Sequence, residues 1–356
     1  MKICFLSDIN SVHTQKWIDY FSSKGHEIHV ISLRDGEYGT AVVHSMNVDS
    51  AVAKSSTVSK LQYVKKFIQV KKIIKKINPD IINAHYASSY GLLGALSKAH
   101  PFVLSVWGSD IYDFPKKSIL HKKLIQFNLK KADYIFSTGA QMKNEIQKYI
   151  NREVFLTPFG IDTKVFLGEK MEHDGIIIGI AKSLESIYGI DLLIKSFARL
   201  SKKHENLYLE IAGEGTEKEN LKNLCMELGI NTKVSFLGFL GKESIVDFYN
   251  KLDIAVFPSR QESFGVAALE AQASRVPVVA SDAPGFNDTV IDGKTGFIFK
   301  NSNLDELTDK IEKLIDDKNL RNSMGDNGRQ FVKERYELEK NFRDIEKKFE
   351  NISLKK

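Results

Sequence analysis

The chain has 356 residues, 42% hydrophobic and 27% charged, with a net charge of +6, two cysteines and seven prolines. That length suits two domains, each with its own core, and the composition excludes a disordered, collagen-like or disulfide-stapled protein. The charge is uneven: residues 1–160 hold 22 Lys+Arg against 12 Asp+Glu, so the expected partner of the first half is an anionic surface or a polyanion.

In chain order, Lys2–Ser7 reads as a buried strand, and its apolar run stops at Asp8, too early for a signal peptide. A helix pattern over Val12–Lys24 and a strand over His26–Leu33 follow. After a polar stretch comes a long helix, Val58–Ile77, with Leu61, Val64, Phe67, Ile68, Ile74 and Ile77 on one side. Lys65, Lys66, Lys72, Lys75 and Lys76 lie largely opposite. Strands are expected at Asp80–Tyr86, Phe102–Trp107, Tyr134–Thr138 and Glu153–Phe155. Between the second and third of these, Pro115–Lys131 sets Lys116, Lys117, Lys122, Lys123, Lys130 and Lys131 around Leu120, Leu124 and Phe127. Two readings stand for these basic helices: an apolar stripe on the sheet with solvated lysines, or a lysine face on an anionic membrane. Nucleic acid is not expected, since no aromatic-interleaved basic motif occurs.

The pattern restarts after a polar linker at Gly168–Asp174. Strands are expected at Ile176–Ala181, Leu207–Ala212, Val234–Leu237, Ile254–Phe257, Pro277–Ala280 and Phe297–Phe299, and the chain is helical beyond Asn303. Strands alternating with helices mean parallel sheets. The predicted fold is α/β: two doubly wound, Rossmann-like domains over residues 1–165 and 166–335. A terminal helix at 336–356 is expected to pack back on the first. Two such domains facing each other would set a ligand cleft at the carboxyl ends of their strands. Cys4 and Cys225 sit in apolar and helical patterns, which suits a reducing compartment, and no apolar run nears the ~18 residues of a membrane span. A cytoplasmic protein is expected, with peripheral attachment to the inner membrane face as the use of its basic half.

The most informative segment is Phe257–Ala271, where a strand ends at Pro258, a loop follows, and a helix of small residues begins near Gly265. Ser263, Phe264 and Gly265 present N–H groups at a helix start, which suits a diphosphate. Glu262 and Glu270 flank them. A carboxylate repels phosphate, so these two are expected on hydroxyls, those of a ribose and a hexose. The alternative makes Glu262 a helix-dipole acid and Glu270 a solvated helix residue.

Glu262-Ser263-Phe264-Gly265-x-x-x-x-Glu270-Ala271, followed by Pro277–Asp282 and Asp292-Gly293-x-Thr295-Gly296-Phe297, resembles the signature of family-4 retaining glycosyltransferases of GT-B fold. The likeness extends to Ile211-Ala212-Gly213-Glu214-Gly215 and Gly238, and in the first half to Asn83-Ala84-His85 and Ser105-x-Trp107-Gly108-Ser109-Asp110. The resemblance implies a nucleotide-sugar donor, UDP-linked by expectation, bound mainly by the second domain. Glu270 would hold the ribose, Glu262 the hexose, and Ser263–Gly265 the diphosphate. Gly213–Thr216 and Gly238–Leu240 would set donor specificity. It implies no metal and no cofactor, and no Asp-x-Asp pair occurs.

Such enzymes usually place an Arg after the first strand of the second domain and a Lys five residues on, both on the diphosphate. Lys182 matches the first as a point charge, while Ile187 stands at the second and neutralises nothing. Trp107 replaces a frequent His, and Trp donates one hydrogen bond but shuttles no proton. Asn10, Ser11 and His13, in a first loop without paired glycines, join His85, Trp107 and Asp110 as acceptor-side candidates. Capping by Ser11 or Asp110 and a satisfied His85 account for these positions equally well. The mechanism implied is retaining, with no side-chain nucleophile. The expected function is transfer of a sugar to an acceptor, saccharide or lipid-linked, in surface polysaccharide or glycolipid synthesis. The alternatives are a nucleotide-sugar-binding partner subunit without turnover and a sugar-nucleotide epimerase. A dehydrogenase is disfavoured, because neither first strand leads into Gly-x-Gly-x-x-Gly.

Overall fold

The computed structural model describes residues 1–47 and 58–355, and the side chains of 58–65 fall outside that description, so the expectations for Leu61, Val64 and Lys65 lie outside the described residues. The chain divides into two compact units, Met1–Pro158 with Glu339–Lys356, and Phe159–Leu338.

The first unit is built on a parallel sheet of β1 (Lys2–Leu6), β2 (Glu27–Ser32), β3 (Val42–Ser45), β4 (Ile81–His85), β5 (Phe102–Val106), β6 (Tyr134–Ser137) and β7 (Phe155–Leu156). Its spatial order is β3-β2-β1-β4-β5-β6-β7. The central strands are apolar runs because helices cover both faces of a parallel sheet; Ile3, Cys4, Phe5 and Leu6 are all fully buried. The short edge strand β3 was not expected. It pairs on one side only, with β2, and its Val42 is exposed, so no buried apolar run marks it.

Two helices correct the expected apolar stripes. In Val58–Ile77 the buried side is Val70, Ile74 and Ile77, whereas Ile68 is exposed. Two residues from Val70 is ~200° around the helix, which turns Ile68 outward. In Ile119–Lys131 the inward residues are Ile125, Asn128 and Leu129, and Leu120 is exposed. The terminal helix Leu338–Ser353 buries Phe342, Ile345, Phe349 and Ile352 in this unit. Phe349 stacks on Phe21 at 5.5 Å and Phe342 on Tyr20 at 4.9 Å, and Glu346 accepts hydrogen bonds from Tyr20 and His26 at 2.9 and 2.7 Å.

The second unit repeats the plan with β8 (Ile176–Ala181), β9 (Leu207–Ala212), β10 (Val234–Gly238), β11 (Ile254–Phe257), β12 (Val278–Ser281) and β13 (Gly296–Phe299). The order is β10-β9-β8-β11-β12-β13, again all parallel. A strand-like seam closes the unit: Ile161 N–H donates to the Tyr336 carbonyl at 2.7 Å and Leu338 N–H to the Ile161 carbonyl at 3.0 Å. Both cysteines are free and buried, and burial pushes their thiols up, to about 12 for Cys4 and about 11 for Cys225. Among the described residues no helix is long and apolar enough to cross a membrane.

Candidate functional site

Four loops leave the carboxyl ends of β8, β9, β10 and β11, the edge at which open α/β sheets bind ligands. The loop after β11 runs from Pro258 to Gly265 and enters the helix Val266–Ala273. It is anchored by its neighbours: Arg260 N–H donates to the Ile187 carbonyl at 2.7 Å, Gly285 N–H to the Glu262 carbonyl at 3.0 Å, and the Ser281 hydroxyl to the Ser259 carbonyl at 2.6 Å. Gly265 holds φ +92°, and a Cβ there would stand 2.9 Å from Phe286 and 3.0 Å from the Thr289 hydroxyl. Only glycine fits that turn. The Phe264 ring is in the core, edge-on to Phe159 and Tyr336, so only its backbone can serve a ligand.

Lys182 follows the last residue of β8 and crosses to this loop. Its ammonium lies 2.7 Å from Glu262 Oε2, and it also rests 4.6 Å from the centre of the Tyr188 ring. The other Glu262 oxygen accepts the Ser263 N–H at 3.2 Å. The Glu262 carboxylate thus engages two of the donors that the sequence reading gave to a diphosphate. Glu270, half-buried on the next helix, faces Tyr249, whose hydroxyl also donates to the Ala267 carbonyl at 3.2 Å. Burial, then the charge and hydrogen bond of Glu270, hold the Tyr249 hydroxyl well above its ordinary range.

Gly213, at φ +138°, brings the β9 loop against the Lys182 backbone: a Cβ there would meet the Lys182 carbonyl at 1.9 Å. Its N–H donates to the Gly238 carbonyl at 2.7 Å. Glu214, in the loop after β9, pairs with Lys218 at 2.8 Å, and its Oε1 would stand 3.1 Å from a Cβ on Gly238. Glu185 clamps the β8 and β9 loops by accepting from the Thr216 hydroxyl at 2.6 Å and N–H at 3.1 Å, bonds that lower its own carboxyl. Beyond Gly238, Phe239 is 82% exposed.

Ile187 is exposed, and Arg260, whose backbone N–H donates to the Ile187 carbonyl, has its guanidinium engaged. Arg260 forks onto Asp191, both oxygens at 2.9 Å, and donates to the Ser186 carbonyl. These groups, with Glu185, Glu217 and Gln261, line a cavity of about 480 Å³. Among the described residues, no three His, Cys, Asp or Glu side chains cluster as metal ligands.

The acceptor-side candidates of the first unit fall into two groups. His85 is fully buried, with Nδ1 2.9 Å from the Ser7 hydroxyl and Nε2 2.9 Å from Asn83 Oδ1, while the Trp107 ring lies tilted against its ring at 4.1 Å. Burial, then His13, holds its pKa well below the usual value. Asp110 is buried too and accepts from the N–H groups of Ala87, Gly108 and Trp107 at 2.5, 2.7 and 3.3 Å. Burial raises its carboxyl against those bonds. His85 is thereby spent on ordering Ser7 and Asn83, and Asp110 on holding the segments that follow β4 and β5. At the loop after β1, Ser11 makes no side-chain cap, and Asn10 is exposed with its amide on the Asp35 carbonyl at 3.0 Å. His13 lies edge-on to Trp107 at 5.9 Å, and burial with the nearby Lys16 lowers it to about 4.

Residues 166–331 match the family model described as "Glycosyl transferases group 1", and residues 2–139 match "Glycosyl transferase 4-like". The chain belongs to the group 1 glycosyltransferases. It is a glycosyltransferase of hexosyltransferase type that uses a nucleotide sugar. It is 26% identical over 333 residues to an uncharacterized glycosyltransferase of Methanocaldococcus jannaschii, covering 92% of this chain and 90% of that one. It is 31% identical over 238 residues to a capsular polysaccharide biosynthesis glycosyltransferase, CapM, of Staphylococcus aureus, covering 66% and 60% of the two chains. Among solved structures, Anabaena HepE in complex with UDP superposes with a TM-score of 0.80 over 99% of this chain and 100% of that one at 18% identity, which shows a shared GT-B fold.

Two residues beside the candidate site, Tyr188 and Tyr249, escaped the sequence reading. Tyr188 lies at the entry of the helix after β8, within reach of Lys182 only because the loop folds back. Tyr249 meets Glu270 from a different helix, Lys242–Lys251, which no spacing rule connects. Phe239 lies in the Gly238–Leu240 segment expected to set donor specificity, directly after the strand-end glycine.

Proposed function

We propose that this glycosyltransferase is retaining and metal-independent, and moves a hexose from a UDP-sugar to a lipid-linked acceptor in surface polysaccharide or glycolipid synthesis. The observation that carries this is the Lys182–Glu262 pair at 2.7 Å beside the Ser263 N–H. A diphosphate bears more charge than a carboxylate, so it outcompetes Glu262 for the ammonium and for the N–H groups of Ser263–Gly265. Glu262, released, accepts from the hexose hydroxyls. Glu270, steadied by Tyr249, accepts from the ribose, and Phe239 offers a face on which a base stacks. Lys182 and the amides stabilise the departing diphosphate, a role in which one donor is worth about 10²–10³ in rate. The acceptor hydroxyl attacks the face the diphosphate leaves, and a leaving oxygen takes its proton, so no side-chain nucleophile is needed.

UDP as the nucleotude carrier is supported by the HepE complex, and polysaccharide synthesis by the name of the Staphylococcus relative. The basic first half supports an acceptor on an anionic surface. In a cytoplasmic protein, the same charge would serve peripheral attachment to the inner face of the membrane. Glu262→Ala and Glu270→Ala should each lower kcat/KM for a UDP-sugar by about 10²–10³ with unchanged melting temperature. Activity should survive a chelator, and NMR should show the donor's anomeric configuration kept in the product. Near-normal turnover by either variant, or an inverted product, would overturn this reading.

A further inference from the structure

The segment Phe114–Lys131 has no Asp or Glu and six lysines, all of them exposed. A 3₁₀ turn, Phe114–Lys117, precedes the helix Ile119–Lys131, which starts at Ser118, whose hydroxyl oxygen accepts the His121 N–H at 3.4 Å. Pro115 and Ile125, Asn128 and Leu129 anchor the segment in the unit. That anchoring fixes the first turn with Ile119 74% and Leu120 77% exposed, side by side at the tip. Lys116 and Lys117 lie just before them. Lys122 and Lys123 lie one turn on, at the i+3 and i+4 positions that share their face. The stripe continues through half-buried Leu124 and exposed Phe127 to Lys131, whose ammonium lies 5.8 Å from the Phe127 ring centre.

Two large aliphatic side chains exposed together, ringed by cations and free of acids, suit neither a core nor plain solvent. We infer that this tip is a membrane anchor: Ile119 and Leu120 enter the acyl boundary of an anionic bilayer, and Lys116, Lys117, Lys122 and Lys123 bind its headgroup phosphates. The partner is a lipid surface rather than a second copy of the chain, because the collar of like charge around the tip repels an identical tip and attracts anionic headgroups. The helix keeps its inner side in the protein and offers the lipid only its first turns, as an interfacial element does. The tip follows β5, so it stands on the carboxyl edge of the first sheet, where β4 and β5 carry His85 and Trp107. Docking would bring a lipid-linked acceptor to that edge, and in this the inference deepens the acceptor reading above.

The test is flotation of the whole chain with vesicles of phosphatidylglycerol or of phosphatidylcholine, neither containing an acceptor. Wild type should float with the anionic vesicles, weakly with the neutral ones, and less as salt rises. Ile119→Ser/Leu120→Ser should cut the anionic partition at least tenfold. Lys122→Ala/Lys123→Ala should cut it by about fivefold per lysine, and both variants should keep the wild-type melting temperature and its shift with UDP. Wild type that stays with the unbound fraction, or variants that float like it, would overturn the inference. So would a dimer at high concentration that Ile119→Ser/Leu120→Ser dissolves, since the tip would then belong to a second copy. Turnover is not read, so failure here is distinct from failure of the transferase reading, which the Glu262 and Glu270 variants test.

Discussion

Lys182 illustrates how much one residue's position can carry. At the end of β8 its backbone is fixed, its N–H on the Ala212 carbonyl at 2.9 Å, while its side chain is shared between a carboxylate and an aromatic face. Its place at a strand end was legible in the sequence; its partner at 2.7 Å, eighty residues away, was not, because only the fold brings those loops together. The histidines show the reverse. His85 stands where the sequence placed it, yet both ring nitrogens are occupied, so it orders Ser7 and Asn83. His13 and His85 both have depressed folded-state pKa values, so the fold holds them neutral. The stability they confer is therefore complete above the unfolded value of 6.5. It is lost as pH falls below that value, ending near 4 for His13 and well below 6.5 for His85. Each group contributes a slope of at most about 1.4 kcal/mol per pH unit. Urea denaturation at a series of pH values should show stability falling below 6.5, and His13→Asn should flatten the curve between 6.5 and 4. An unchanged slope would mean that His13 protonates freely in the fold.

At the scale of elements, the terminal helix Leu338–Ser353 belongs structurally to the first unit, through four buried side chains at helical spacing. Phe349 is fully buried between Phe21 and Phe136, stacked on both. Phe349→Ala should cost about 3–5 kcal/mol, read as a lower urea midpoint; a loss under about 1 kcal/mol would mean the helix is not part of the folding unit. Most elements were legible because central parallel strands are unbroken apolar runs, and β8, β9 and β11 match their expected bounds residue for residue. β3 was not, since an edge strand needs no such run. The outward faces of the two basic helices were misjudged for a related reason. Lysines on most sides of a helix leave its apolar stripe ambiguous by a turn, and only packing decided that Ile68 and Leu120 face away.

For the whole molecule, the uneven charge and the two-sheet plan describe a division of labour. The acid-poor first half presents cations and the Ile119–Leu120 tip, and the second unit gathers Lys182, Glu262, Glu270 and a row of strand-end loops. The central claim is that this second unit holds the nucleotide-sugar donor through those named groups. Calorimetric titration of UDP into wild type, Lys182→Ala, Glu270→Ala and Ile119→Ser/Leu120→Ser tests it most directly. Wild type and the tip variant should bind UDP with equal affinity, and the Lys182 and Glu270 variants should each bind at least tenfold more weakly, roughly 1.4 kcal/mol or more. Binding of UDP by both of those variants with wild-type affinity, or no binding by wild type, would contradict it.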